Sequence, residues 1–214
     1  MDAGDPQHLL GAQKGAGVLK LSRQPGHGFN VVELMVAMAI AAILGVLVVP
    51  SVTEWIRNAR VRSTAEALQN GLRLAQNEAI RQGRQVVLTF TNATPALDAT
   101  PTANGTNWSA QTVAVTGDPA RFIGGGPMGD LTAGIAVNTN AVNAVCFGST
   151  GTLMPNGMPG PTGAICTTNT LTVDVSFAAN AASAKTLRVS VSVGGRIRMC
   201  DPDKTFSATA PDGC

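Results

Sequence analysis

The chain has 214 residues, with 15 Lys and Arg against 13 Asp and Glu for a net charge of +2, four Cys, two His and no Tyr. So small a net charge excludes a global electrostatic case for nucleic acid or anionic surfaces, and sparse charge beside abundant Gly, Ala, Thr and Asn points to a small β-rich domain with long polar loops. Both histidines, His8 and His27, precede residue 29, so a chain beginning there lacks the usual acid/base and zinc-binding side chain, and no enzyme activity, metal or cofactor is expected.

Residues 1–28 are polar and mildly basic, with no apolar run long enough for a conventional secretory signal. Lys14, Lys20 and Arg23 favour a cytoplasmic position for this end, whereas Arg57, Arg60 and Arg62, beyond the next segment, oppose that bias. After Glu33 no charge occurs until Glu54, leaving residues 34–53 as an uncharged run of 20 residues. As a helix such a run covers about 30 Å, the thickness of a bilayer core, and it predicts a membrane span. Glu33 stands near the start of that apolar helix, where an unpaired charge costs about 2.5–3.5 kcal/mol. It either stays wet at the headgroup level or needs a partner. Pro50 predicts a kink or a melted turn between Ile43 and Pro50, and not a helix end, because helical periodicity resumes directly after it.

Over residues 54–82 the pattern becomes amphipathic, with Ala65, Leu68, Leu72, Ala75 and Ala79 on one face expected to pack on a sheet. Gly71 within it costs about 1 kcal/mol relative to alanine, which a close approach between helix and sheet would explain. Gly83 is a natural C-cap, giving a helix from about residue 30 to 82.

The first strand is expected at 85–90, followed by an exposed loop over 91–107. Shorter strands are expected at 111–115, 121–123, 134–137 and 144–147, and Gly124-Gly125-Gly126-Pro127 reads as a turn, since nothing around it fits a phosphate-binding loop. Residues 148–164 form a second Gly/Pro-rich loop. The clearest alternation marks strands at 171–177 and 187–193, joined by a hairpin loop at 180–185, and a last strand lies at 196–200. Cys146, Cys166, Cys200 and Cys214 show no Cys-x-x-Cys spacing, and an even count favours disulfides over metal. Three connectivities are open; Cys146 with Cys166 and Cys200 with Cys214 is preferred because each pair brackets a loop, and closing the loop between Cys146 and Cys166 is worth about 3 kcal/mol in the chain-entropy view.

Gly28-Phe29 with Glu33 at the fifth position from Phe29 resembles the prepilin signature of type IV pilins and type II secretion pseudopilins, and Pro50 falls where many pilins carry proline. The turn Arg81-Gln82-Gly83-Arg84, the apolar strand after it and the late segment Gly195-Arg196-Ile197-Arg198-Met199-Cys200-Asp201-Pro202 resemble the GspH/FimT group of minor pilins and pseudopilins. The resemblance implies an α+β fold, a long N-terminal helix packed on an antiparallel β-sheet domain. It implies a leader at 1–28 cleaved between Gly28 and Phe29 by a prepilin peptidase, N-methylation of Phe29, a transmembrane and filament-core helix at 29–53, an amphipathic continuation at 54–83 and a periplasmic β-domain at 84–214.

The implied location is the bacterial inner membrane and, after assembly, a pilus or pseudopilus. The implied partners are other major and minor pilins or pseudopilins, with Glu33 pairing to a neighbouring subunit's N-terminal amine. The implied role is that of a minor type IV pilin that primes or joins a filament; a GspH-like secretion pseudopilin and a DNA-binding tip subunit are the alternatives. In parts of the FimT group a Gly-Arg-x-Arg segment is associated with DNA, so Arg196 and Arg198, with Lys185, Arg188 and Lys204 as further candidates, are the expected DNA contacts in transformation. Two arginines that only solubilise an edge strand are the competing reading.

Overall fold

The computed structural model describes residues 30–128, 134–156, 160–178 and 185–214, with 46–50 described in backbone only. The leader, the Gly28–Phe29 cleavage site and most of the hairpin loop expected at 180–185 therefore lie outside the described residues. The chain divides into two compact units, Met1–Gly45 and Val46–Cys214. Helix α1 spans Val31–Gln82. At its start the Asn30 side chain accepts from the Val32 amide, which satisfies one of the donors a helix N-terminus leaves open, and the Asn30 carbonyl accepts the first intrahelical bond from the Leu34 amide. At its end Gly83 adopts φ +62°; its amide donates to the Ile80 carbonyl and that of Arg84 to the Ala79 carbonyl. This pair of bonds is a Schellman cap, which needs the left-handed residue that glycine supplies.

The melted turn expected before Pro50 is absent, because the backbone is helical without a break through that residue. A proline withdraws only its own amide, one bond out of a long ladder. Among the described residues no helix is long and apolar enough to cross a membrane.

In the second unit, Val61, Thr64, Ala65, Leu68, Leu72, Ala75 and Ala79 form the buried stripe of α1. Where one sheet was expected, the stripe meets two. The first has the order β3-β2-β1-β5 and the second β4-β6-β7-β8, with every neighbouring pair antiparallel. The strands are β1 (Val86–Thr91), β2 (Asn107–Thr112), β3 (Phe122–Pro127), β4 (Ile135–Asn138), β5 (Ala144–Phe147), β6 (Leu171–Phe177), β7 (Leu187–Val191) and β8 (Ile197–Cys200). Alternate residues Val86, Leu88 and Phe90 of β1, Val145 and Phe147 of β5, Leu171, Val173 and Val175 of β6, and Val189 and Val191 of β7 share one apolar cluster with the helix. The intervening Val87 and Cys146 belong to a second, smaller cluster with Val113, Ala144 and Ala164 on the other face of the first sheet. That double burial is why β1 shows no exposed face.

The chain crosses between sheets in the short link from β4 to β5. There Thr139 and Asn104 exchange bonds, Thr139 N donating to Asn104 Oδ1 at 2.7 Å and Asn104 N to Thr139 Oγ1 at 3.1 Å. Asn140 and Ala141 follow at φ 52° and 64°, a left-handed pair that is unfavourable for alanine and is held here by its surroundings. Arg84, just past the helix cap, is buried and reaches the β2–β3 connection, pairing with Asp118 at 2.5 Å and donating to the Val113 carbonyl.

Gly124 to Pro127 is not the expected turn but most of β3, paired along β2. A Cβ at Gly125 would collide with Pro95 and the Trp108 carbonyl, and one at Gly124 would press on Leu74. The glycines are there to let an edge strand lie close, and proline is tolerated at such an edge. Strand β2 likewise starts at Asn107, earlier than the expected 111, inside the stretch read as loop.

Gly71 lies under Trp108, and a Cβ there would sit 2.9 Å from the indole Cε2 and 3.0 Å from Cδ2. Gly71→Ala is expected to lower the midpoint of chemical denaturation, by about 1–3 kcal/mol of overpacking set against about 1 kcal/mol of helix propensity gained. Gly71→Val should lower it further. A rise for alanine would mean that Trp108 yields freely.

Candidate functional site

Glu33 occupies the first turn of α1, where a carboxylate is favoured by the helix dipole. Its flanking residues Val31, Val32, Leu34 and Met35 are all exposed apolar side chains. Among the described residues no cation pairs with Glu33. The first unit therefore presents a lone acid in an apolar helical surface. Phe29, its expected neighbour in cleavage and methylation, lies outside the described residues.

The five candidate cations near the C-terminus separate into distinct environments. Strand β6 brings Asp174 directly opposite Arg188 of β7, and the guanidinium donates to both carboxylate oxygens, Nε at 2.6 Å and Nη2 at 2.9 Å. That fork raises the Arg188 pKa above its ordinary value. Lys204 donates to Asp212 and lies 3.6 Å from Asp201; the bond to Asp212 raises the pKa of the lysine, while Lys204 lowers that of Asp212. Arg198 donates to the carbonyls of Pro211 and Gly213, the latter at 2.5 Å, and lies 4.7 Å over the Phe206 ring. Three of the five are thus engaged within the chain.

Lys185 is exposed, its backbone amide donating to Asn58 Oδ1. Arg196 is exposed on the turn between β7 and β8, and among the described residues no acid pairs with it. Arg198 pins the tail that Cys200–Cys214 closes, while Cys146–Cys166 fastens the loop after β5. Both disulfides are the preferred pairs.

The turn carrying Arg196 is held from the helix. Gln76 donates through Nε2 to the Gly195 carbonyl at 2.7 Å and the Gly151 carbonyl at 2.8 Å, and Gly195 sits at φ +84° with the Gly151 carbonyl where a Cβ would go. The sequence carried no cue for Gln76, which looks like any polar residue on a solvated helix face. Asp174 was legible in principle, because the alternation of β6 and β7 sets it across from Arg188.

A cavity of about 330 Å³ lies between Asn58, Val61 and Arg62 of α1, Lys185 and Leu187, and Met199 to Asp201. It contains no nucleophile paired with a base. A shallower one of about 460 Å³ is lined by Glu78, Arg81, Gln82 and Arg121 to Ile123, where Arg81 holds the Glu78 carboxyl below its ordinary range. Among the described residues no cluster of His, Cys, Asp or Glu could hold a metal ion.

A family model, type II transport protein GspH, matches residues 64–195, more than half the chain. The chain is similar in structure to the type IV minor pilin FimU of Pseudomonas aeruginosa, at 22% identity and TM-score 0.47, covering 72% of this chain and 94% of that one. It is also similar to the minor pseudopilin EpsH from the type 2 secretion system of Vibrio cholerae (12%, TM-score 0.41, 68% and 99%) and to Escherichia coli GspH (12%, TM-score 0.43, 70% and 94%). No curated protein matches the chain in sequence.

Gln76→Ala leaves two loop carbonyls without their donor and is expected to cost about 1–3 kcal/mol in chemical denaturation. Gln76→Glu should cost more at neutral pH, because an ionised carboxylate has no proton to donate and faces two carbonyls. The folded state then raises that carboxyl's pKa, so the extra loss is present above the folded pKa and fades as pH falls through it toward about 4.3. Equal losses for the two variants at pH 4 and pH 7 would refute the clamp.

Proposed function

The chain belongs to the GspH family, structural pilin and pseudopilin subunits and not enzymes, and from that premise we propose that it is a minor type IV pilin of the FimT/FimU kind, incorporated in a pilus or priming its assembly. In this reading a prepilin peptidase removes residues 1–28 between Gly28 and Phe29 and N-methylates Phe29. Residues 29–53 hold the chain in the inner membrane, 54–83 extend the helix, and 84–214 stand in the periplasm. Assembly transfers the apolar helix from lipid to a bundle of other major and minor pilins.

The observation that carries this is Glu33, one acid beside a 20-residue uncharged run, with no cation to meet it among the described residues of its own chain. A charge so placed is stabilised by an amine brought from outside, and the N-terminus of a neighbouring subunit has the right charge and depth. The same leader and helix would serve a type II secretion pseudopilin; the four cysteines and Gly195-Arg196-Ile197-Arg198 support the pilus side.

A second reading, DNA capture, is favoured by the exposure of Arg196, which has no acid partner among the described residues. With Arg188, Arg198 and Lys204 engaged inside the chain, the basic segment offers few phosphate contacts, and affinity would be weak and strongly salt-dependent.

Glu33→Ala is expected to deplete the subunit from sheared filaments, as loss of one partner of a buried pair costs about 3–5 kcal/mol, while the circular dichroism of the protein stays unchanged. Normal incorporation would defeat the assembly role. Mass spectrometry of the native product should find methylated phenylalanine first. Deleting the gene should reduce piliation and leave protein secretion intact; the reverse phenotype assigns the chain to secretion. In gel shifts of the full chain at low salt, Arg196→Gln should abolish any DNA complex, and an unchanged shift removes this site.

A further inference from the structure

The two sheets end in four outer strands, β3 and β5 of the first and β4 and β8 of the second, and the chain treats these edges unequally. Outside β5, Cys166 bridges Ala144 and Leu153 bridges Phe147, both from the segment that Cys146–Cys166 fastens. At the end of β8 the tail closed by Cys200–Cys214 folds back, Gly213 bridging Asp201 while Arg198 donates to the Pro211 and Gly213 carbonyls. Strand β4 is only four residues long, and shortness itself blunts an edge. Strand β3 has six residues, carries no charge and, among the described residues, has no partner on its outer side.

The register tells which of its groups are open. The Met128 amide donates to the Thr106 carbonyl at 3.1 Å, so by the alternation of an antiparallel ladder Gly126 and Gly124 bond to Trp108 and Ala110, and the residues between them turn away from β2. The Gly125 N–H, the Gly125 carbonyl and the Pro127 carbonyl therefore point outward. Gly125 and Pro127 are both exposed, and no described residue bonds these groups. A register shift between Ala110 and Gln111 marks one end of this stretch and Pro127 the other. Bulges and prolines blunt an edge where they stand, and here they leave the glycines between them bare.

The walls beside the edge are apolar. On the helix side, Leu74 lies 3.3 Å from where a Gly124 Cβ would be and is 38% exposed, while a Cβ at Gly126 would have nothing within 4 Å. Pro95 stands at Gly125 on the opposite face. The nearby charges are closed on one another, Arg81 with Glu78 and Arg121 with Asp118, so nothing here selects a charged ligand. What matches outward donors and acceptors along a bare strand is the main chain of another extended strand.

We propose that β3 is a strand acceptor: an extended, uncharged segment of a different pilin or pseudopilin subunit pairs antiparallel to it and lengthens the first sheet. The residue opposite Gly125 exchanges two bonds with it, and its neighbours lie over Leu74 and in the space beside Gly126. That the donor is such a subunit rests on the reading above; that the ligand is an extended backbone does not. A second copy pairing edge to edge fits less well. Its two-fold axis would stand normal to the sheet and point the two copies' residues 54–82, which pack along the sheet, in opposite directions, and one membrane does not anchor both.

The test is amide exchange at Gly125 in the full chain in detergent, followed by NMR, with short overlapping peptides that cover the mature pilins and pseudopilins of the same cell. One peptide should slow Gly125 severalfold more than its scrambled version does and leave the β4 amides unchanged. Gly126→Lys puts a charge into open space where the donor strand would lie, and it should weaken that peptide severalfold at an unchanged denaturation midpoint, whereas Gly126→Ala should not. Leu74→Gln, at a half-exposed helix position, should weaken it as well. Exchange at Gly125 that no peptide slows, or that scrambled peptides slow equally, refutes the acceptor. Slowing that grows with the concentration of the chain alone assigns the edge to a second copy and also overturns the proposal. Protection by a specific peptide in a chain missing from sheared filaments defeats the pilus reading and leaves the acceptor; a chain present in filaments whose Gly125 no peptide protects does the reverse.

Discussion

One stripe of α1 has to bury the inner faces of two β-sheets at once, and the rest of the β-domain depends on how narrow that stripe is. Three of its members, Ala65, Ala75 and Ala79, are alanines, and Leu68 and Leu72 are its largest residues. Small side chains keep the helix axis close to the strands, so that β-branched residues from β1, β6 and β7 meet over it in one cluster. The same closeness removes room at Gly71, which faces an indole from β2. Burial of apolar area supplies the drive here, about 25 cal/mol per Å², but the geometry is set by the absence of bulk.

Much of this was legible in the residues, for identifiable reasons. The C-terminal end of the helix is marked by Gly83, whose capping chemistry acts locally, and the structure uses it. Strands β6 and β7 announce themselves because their two faces meet different environments, which forces alternation. Strands β2 and β3 do not. The outer face of β2 is satisfied by the preceding loop, Ser109 donating to the Ala96 carbonyl and Gln111 Oε1 accepting from the Asp98 amide, so buried positions on it read as polar. In β3 the glycines report the closeness of Trp108 and Pro95, partners distant enough in sequence that nothing local reveals them.

The candidate site was legible to a similar degree. Glu33 stands out because charge is rare around it, and the basic segment stands out as a cluster. What a cluster does not disclose is how its members are neutralised. Asp174, Asp212 and the carbonyls of the C-terminal tail reach Arg188, Lys204 and Arg198 only after the sheet has paired and the tail has folded back under its disulfide. A run of cations in a sequence is thus an upper bound on the charge a surface presents, and here the bound is far from reached.

The link between β4 and β5 has one more consequence. Strands β1 to β3 and β6 to β8 are each a contiguous meander, but β4 leaves to join the later group and β5 goes back to the earlier one. Neither layer can be finished without the other, because the chain that completes them is shared in reverse order. Assembly of the domain must therefore be concerted and dominated by distant pairings, a topology that folds slowly compared with one built from neighbours. A chain lacking its last strands leaves both layers unfinished, and the final architecture forms only when those strands are in place.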